Sequence, residues 1–294
     1  MHYLFNQRVG LSIVRVPIGT TDFSPESLQY TFADKIGIAT SETDLDAYLA
    51  NFNTSGASTY IFPTLKDALI INPALKISIL PWSPPAWMKD GNSVDGGSLI
   101  NGSAPLHAEY LVKSAQAFKT ALGVTPWGLA VQNEPSHQAI YPSMIMTNNV
   151  ESTVLAALRG RLAELGMGSI KLWGHEDNFA RWSQAAQLVM SNSSTLDGVN
   201  FHCYSGSSSD IPGFVQTVGS AGAGKVLSMS ECSGQGTNAA DNSSYNWWMN
   251  HIFMPLTQYD FSSIIVCIGA FRLRKEKKEE RLYEEKVGSE PAYV

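Results

Sequence analysis

Seven short apolar runs, separated by longer stretches that include segments of helical period, constrain this chain more than any other feature. The runs are 11–17 (LSIVRVP), 76–82 (KISILPW), 127–132 (WGLAVQ), 170–174 (IKLWG), 198–204 (GVNFHCY), 225–230 (KVLSMS) and 262–268 (SSIIVCI). They are near-continuously apolar and rich in Val, Ile and Leu. A strand with one wet face alternates, whereas a strand apolar throughout is covered on both faces, as in a parallel sheet. The intervening segments are amphipathic. In 106–122, Tyr110, Leu111, Ala115, Phe118 and Leu122 fall on one helical face, and 151–165 and 179–191 read the same way. Repeated strand–helix–strand units imply either a closed barrel or an open doubly wound sheet. Seven strands are one short of a closed eight-stranded barrel. No Gly-x-Gly-x-x-Gly follows any run, which counts against a dinucleotide-binding open sheet.

The 294 residues suffice for one α/β barrel, and no repeat or Pro/Ser linker divides them. The net charge of −6 leaves no basic surplus to neutralise phosphates, so nucleic acid is not an expected partner. No run of 18 apolar residues occurs, and no membrane span is expected. The N-terminal residues carry neither a basic region nor an apolar stretch of signal-peptide type. Four Asn-x-Ser/Thr tripeptides, at Asn53, Asn101, Asn192 and Asn242, lean toward a secreted protein. Charge changes abruptly near the C-terminus. Seven of the 20 basic and six of the 26 acidic residues fall within 271–294. The chain therefore divides into a barrel domain, 1–270, and a charged tail, 271–294, expected to be disordered. The tail reads either as a solvated helix or disordered end or, since Val266-Cys267 can be encoded by an intron-start sequence, as translated intron.

α/β folds build their sites at the carboxyl ends of the strands. The runs lead into Arg15-Val16-Pro17 with Asp22 behind, Trp82-Ser83-Pro84-Pro85, Gln132-Asn133-Glu134-Pro135, His175-Glu176-Asp177, His202-Cys203-Tyr204 and Glu231-Cys232. Polar, aromatic and acidic groups thus gather on one rim. Glu134 and Glu231 leave runs three apart, so a barrel can face them across its mouth. Two carboxyls about 5–5.5 Å apart perform retaining glycoside hydrolysis, one as nucleophile and the other as acid then base. Trp82, Trp87 and Tyr204 offer flat faces to sugar rings. Glu176 and Asp177 read as groups that orient neighbours or bind hydroxyls. His175 and His202 lack the His-x-x-x-His or Cys-x-x-Cys spacing of a metal site, so neither metal nor cofactor is expected. Trp127, Trp173 and Trp182 read as packing residues. Cys203 and Cys232 follow inward-facing residues and should point away from the pocket, either paired or as two buried thiols.

The segments LSIVRVPIGTTDFS (11–24), LPWSPPAWMKDGNSVDGGSL (80–99), VQNEP (131–135), FHCYSG (201–206) and SMSECSG (228–234) together resemble glycoside hydrolase family 30. The likeness covers most of residues 3–265, in the family's order and spacing. It implies a (β/α)8 barrel with Glu134 as acid/base and Glu231 as nucleophile. Arg15, Asp22, Trp82, Asn133, His202 and Tyr204 match positions lining the sugar subsite. SPPAWMKD and HCYSG look most like the fungal endo-β-1,6-glucanase branch, with the glucosylceramidase branch more distant. The implied enzyme is a secreted monomer that cleaves a β-glucan. The alternatives are a glucosylceramidase-type β-glucosidase and a non-catalytic remnant. Against the family pattern, the first barrel strand is missing, the eighth is altered at Val266-Cys267-Ile268-Gly269, and the C-terminal β-sandwich is absent.

Overall fold

The computed structural model describes residues 2–6, 10–39, 41, 43–233 and 249–266. The charged tail and the sequon at Asn242 lie outside the described residues. Within them, β1 (Ile13–Pro17), β2 (Lys76–Leu80), β3 (Gly128–Ala130), β4 (Lys171–Asn178), β5 (Gly198–His202), β6 (Val226–Glu231) and β7 (Phe261–Ile264) form one sheet. Spatial order equals chain order and every pairing is parallel. Each of the seven apolar runs therefore contributes a strand, curled as in an incomplete barrel, while 267–269 of the segment expected to be an altered eighth strand lie outside the described residues.

The longer helices are α1 (Ile61–Ile71), α2 (Ala104–Leu122), α3 (Asn148–Glu164), α4 (Trp182–Ser191) and α5 (Ile211–Val218). On α2, Tyr110, Leu111, Ala115 and Phe118 are fully buried, while Leu122 packs at the edge of the same core. Gly123 ends that helix at φ 74°, its N–H donating to the Lys119 carbonyl, in the left-handed conformation that glycine adopts at least cost. A smaller cluster joins Leu80, Trp82, Ala130 and Trp173 from neighbouring strands. A Cβ at Gly128 or Gly198, on the strands flanking β4, would overlap the Trp173 indole, so both positions must be bare. The expected packing roles of Trp127 and Trp182 also hold, each lying against a buried cluster.

Two local expectations need correction. β4 does not stop at Gly174. It runs on through His175, Glu176 and Asp177 to Asn178, because Asp177 and Asn178 pair with Phe201 and His202 of β5. Gly174 pairs with Val199, so one extra residue is accommodated between the two registers, and the strand bulges at His175-Glu176. The sequon at Asn192 is not a surface acceptor: its amide is buried and donates to Ser152 Oγ at 2.7 Å and the Leu188 carbonyl at 2.9 Å. Cys203 and Cys232, whose pairing the sequence left open, form a disulfide joining the segments just beyond β5 and β6. Both sulfurs sit in the apolar cluster with Phe179 and Phe201.

Candidate active site

An open cavity of about 460 Å³ lies at the carboxyl ends of the strands. Asp22, Trp82, Asn133, Glu134, Tyr204 and Glu231 line it, as expected from sequence. Arg15 and His202 sit beneath that lining, their side chains 8% and 0% exposed. These eight residues are therefore brought together, whereas Trp87, also expected to face a sugar ring, is not in the lining: it packs against the core and its Nε1 donates to the Ala33 carbonyl at 2.6 Å.

Arg15 organises the floor. Its Nη1 donates to Glu231 Oε2 at 2.6 Å, and its Nη2 donates to Asn133 Oδ1 at 2.5 Å and Glu176 Oε2 at 3.0 Å. One guanidinium thus ties β1 to the ends of β3, β4 and β6. Its planar fork suits this task, since a lysine would offer a single point charge. The guanidinium also lies over the Trp82 ring, 4.8 Å from its centre. Trp82 therefore lines the cavity and at the same time forms a wall for Arg15. Tyr204 Oη donates to the other oxygen of Glu231 at 2.9 Å. Burial raises the pKa of Glu231, but His202, Arg15 and Tyr204 outweigh it and hold the carboxyl below its ordinary range.

Glu134 has different company. Its Oε1 lies 3.1 Å from His202 Nδ1 and accepts from Asn178 Nδ2 at 3.5 Å. The opposite ring nitrogen of His202 is 3.3 Å from Glu176 Oε2. Burial opposes a charge on this imidazole, yet the hydrogen bonds to Glu134 and Glu176 prevail and lift its pKa to about 9. With a carboxylate at each nitrogen, His202 is an imidazolium donating both ways. Glu176 is 1% exposed. Burial alone would raise its pKa, but Arg15 and then His202 and Asn200 hold it at about 2. Asp22 stands at the mouth, where loss of surrounding water, then Glu231, raises its pKa.

Glu176 was read from sequence as a group that orients neighbours or binds hydroxyls, and the structure sets it against neighbouring side chains rather than in the cavity lining. Its carboxylate accepts from Arg15, Asn200 and, at 2.7 Å, Ser230 Oγ. Its main-chain carbonyl accepts the Glu134 N–H at 2.9 Å. Sequence reasoning missed Phe23, His137, Tyr141, Asn178 and Ser233, which complete the cavity lining. Asn178 was hidden because the polar run His175-Glu176-Asp177 looks like a loop. His137 and Tyr141 follow the Asn-Glu-Pro segment closely, and their ring character was the available signal. Among the described residues, no group of three or more His, Cys, Asp or Glu could hold a metal ion.

Parallel strands curled around a clustered polar floor, with two carboxylates from separate strands lining one open cavity, define the class: an α/β barrel of glycosidase build. The chain belongs to glycosyl hydrolase family 30, whose TIM-barrel domain model matches residues 1–248. It is similar to an endo-1,6-beta-D-glucanase of Neurospora crassa, 28% identical over 254 residues, 84% of this chain and 50% of that one. It is also similar to putative glucosylceramidase 1 of Caenorhabditis elegans, 26% identical over 223 residues, 71% of this chain and 40% of that one. The chain thus spans half or less of these relatives' lengths. Among solved structures, SrfJ from Salmonella typhimurium superposes with a TM-score of 0.74 at 25% identity, over 90% of this chain and 58% of that one.

Proposed function

We propose that this chain carries the catalytic centre of a retaining β-glycoside hydrolase acting on β-1,6-linked glucan. The observation that carries the reading is the unequal treatment of two carboxylates lining one cavity. Glu231 is clamped by Arg15 and Tyr204 and kept ionised, as a nucleophile must be. Glu134 instead contacts the His202 imidazole and the Asn178 amide.

In the first step a Glu231 oxygen attacks the anomeric carbon. The bond to the leaving oxygen breaks, and that oxygen takes a proton from Glu134. In the second step Glu134 removes a proton from water, the water oxygen bonds to the anomeric carbon, and Glu231 is released. Trp82 and Tyr204 flank the sugar, and Asp22 and Asn133 offer acceptors to its hydroxyls. The β-1,6 linkage is supported by the likeness to fungal endo-1,6-beta-D-glucanases. The Cys203–Cys232 disulfide supports maturation in an oxidising, extracytoplasmic compartment.

The test is hydrolysis of p-nitrophenyl β-glucoside, the β-1,6-glucan pustulan and glucosylceramide side by side, with product anomers followed by NMR. Release of β-anomer from pustulan is the expected result. Preference for glucosylceramide moves the reading to the lipid aglycone, an inverted product overturns the retaining mechanism, and inactivity on all three overturns the enzyme reading.

A further inference from the structure

Glu151 lies outside the cavity, in the first turns of α3, yet it is 2% exposed. Charged side chains are rarely buried without a specific partner. Its Oε1 accepts the main-chain N–H of His175 at 3.0 Å. That N–H belongs to the bulge of β4, where the ladder to β5 is interrupted between Gly174 and Asp177. A bulge leaves a backbone donor without its strand partner, and a buried donor needs another acceptor. Glu151 is that acceptor. A Cβ on Gly174 would stand 2.6 Å from Leu188 Cδ2, 3.0 Å from Leu196 Cδ2 and 3.2 Å from the same oxygen, so the bare backbone makes room first for the two leucines and also for the carboxyl.

What hangs on the bulge is the acid/base segment. The Glu176 carbonyl holds the Glu134 N–H at 2.9 Å, and Asp177 Oδ2 accepts the Ser136 N–H at 3.2 Å. Glu134, His175 and Glu176 all have positive φ, 43°, 73° and 40°, a conformation that non-glycine residues hold only when their surroundings fix it. On the other side, the Glu176 carboxylate grips Arg15, which grips Glu231.

We propose that Glu151 is a positioning residue: by accepting the His175 N–H it fixes the β4 bulge from which Glu134 and Glu176 are aimed. The inference rests on the glycosidase reading for its kinetic consequence, and on geometry alone for its structural one. Displacing reacting groups by about 1 Å lowers turnover about 10²-fold.

Glu151→Leu removes the acceptor, while Glu151→Gln keeps one. With active sites counted by a mechanism-based 2-fluoroglycoside, the expected kcat per site falls roughly 10- to 100-fold in Glu151→Leu and stays within about threefold of wild type in Glu151→Gln, with KM nearly constant in both. A purely structural role would lower the number of active sites and leave kcat per site unchanged, and that result overturns the proposal. The second measurement needs neither activity nor the leucine variant. Amide exchange on Glu151→Gln, a weaker acceptor, should quicken at His175 and Glu134 together. Faster exchange at His175 alone, or at neither, also overturns it. Because exchange is read without substrate, failure of the glycosidase reading leaves this arm intact.

Discussion

Nη1 of Arg15 lies 2.6 Å from Oε2 of Glu231, an ion pair between residues 216 positions apart, with the arginine side chain 8% exposed. The pair spans the sheet from β1 to β6 and helps hold the Glu231 carboxyl below its ordinary range. Taking both groups out of water carries a large desolvation penalty, which close geometry and further hydrogen bonds offset. Here Asn133, Glu176 and Tyr204 supply those bonds.

Glu231→Gln should lower kcat by about 10⁴-fold or more, since no covalent intermediate can form. Glu231→Gly with azide should regain turnover and yield the glycosyl azide of inverted anomer. A Glu231→Gln protein of near wild-type rate would falsify the nucleophile assignment.

Glu134→Ala should lower turnover of substrates with poor leaving groups most. Dinitrophenyl glucosides need little protonation and should lose far less in the first step. Equal losses across a leaving-group series would show that another group supplies the proton.

Tyr204→Phe removes the hydroxyl that donates to Glu231 at 2.9 Å. A hydrogen bond to a charged group contributes about 1.5–3 kcal/mol, so kcat/KM should fall about 10- to 100-fold. The check is steady-state kinetics alongside a melting curve, and a change below threefold would show that Arg15 alone holds the nucleophile.

Stability should peak in mildly acidic solution. His202 has a folded pKa raised from 6.5 to about 9, so its contribution is full below pH 6.5 and disappears as pH rises through 9. Burial raises Glu151 from 4.5 to about 7, which makes the fold lose stability as pH climbs between those values. Glu176, held at about 2 against 4.5, contributes above pH 4.5 and loses that contribution as pH falls toward 2. His107 and His175, pushed by burial from 6.5 down to about 4, work the other way and add stability as pH rises between those values, so the melting midpoint should be highest near pH 6.5. His202→Gln should flatten the alkaline side, and an unchanged alkaline slope in that variant would count against the charged imidazole.

Cys203 and Cys232 enclose a sequence separation of 29 residues. Closing a loop of that size stabilises by about 3–4 kcal/mol in the chain-entropy account. Replacing both cysteines by serine should lower unfolding free energy by about 2–4 kcal/mol in denaturant titration. No change would mean that packing around Phe179 and Phe201 holds the two strand ends unaided.

The strands were legible in the sequence because burial on both faces leaves an unbroken apolar signature, as in KISIL of β2. Glu134 and Glu231 were legible because each stands where such a signature stops. Two kinds of feature were not. The far half of β4 is buried but polar: the His175 main-chain N–H and the Glu176 and Asp177 carboxylates meet partners distant in sequence, and hydropathy cannot register a satisfied polar group. Glu151 sits on a helix of mixed character, where an acidic residue ordinarily marks the solvated face. Its burial depends on a bulge that local sequence does not announce.

The left-handed backbone at Glu134 and Glu176 bears on how such a site survives over evolutionary time. Glycine occupies that conformation freely, whereas a side-chain-bearing residue is strained there by about 1–3 kcal/mol. At Glu176 the buried pairing with Arg15 and His202 outweighs that strain, so folding itself retains the carboxyl. At Glu134, which lines the open cavity, drift under selection for folding alone would favour glycine and erase the carboxyl group. Activity and stability thus pull that one codon in opposite directions. A lineage released from the need to cleave its substrate would be expected to lose Glu134 early and to keep Glu176.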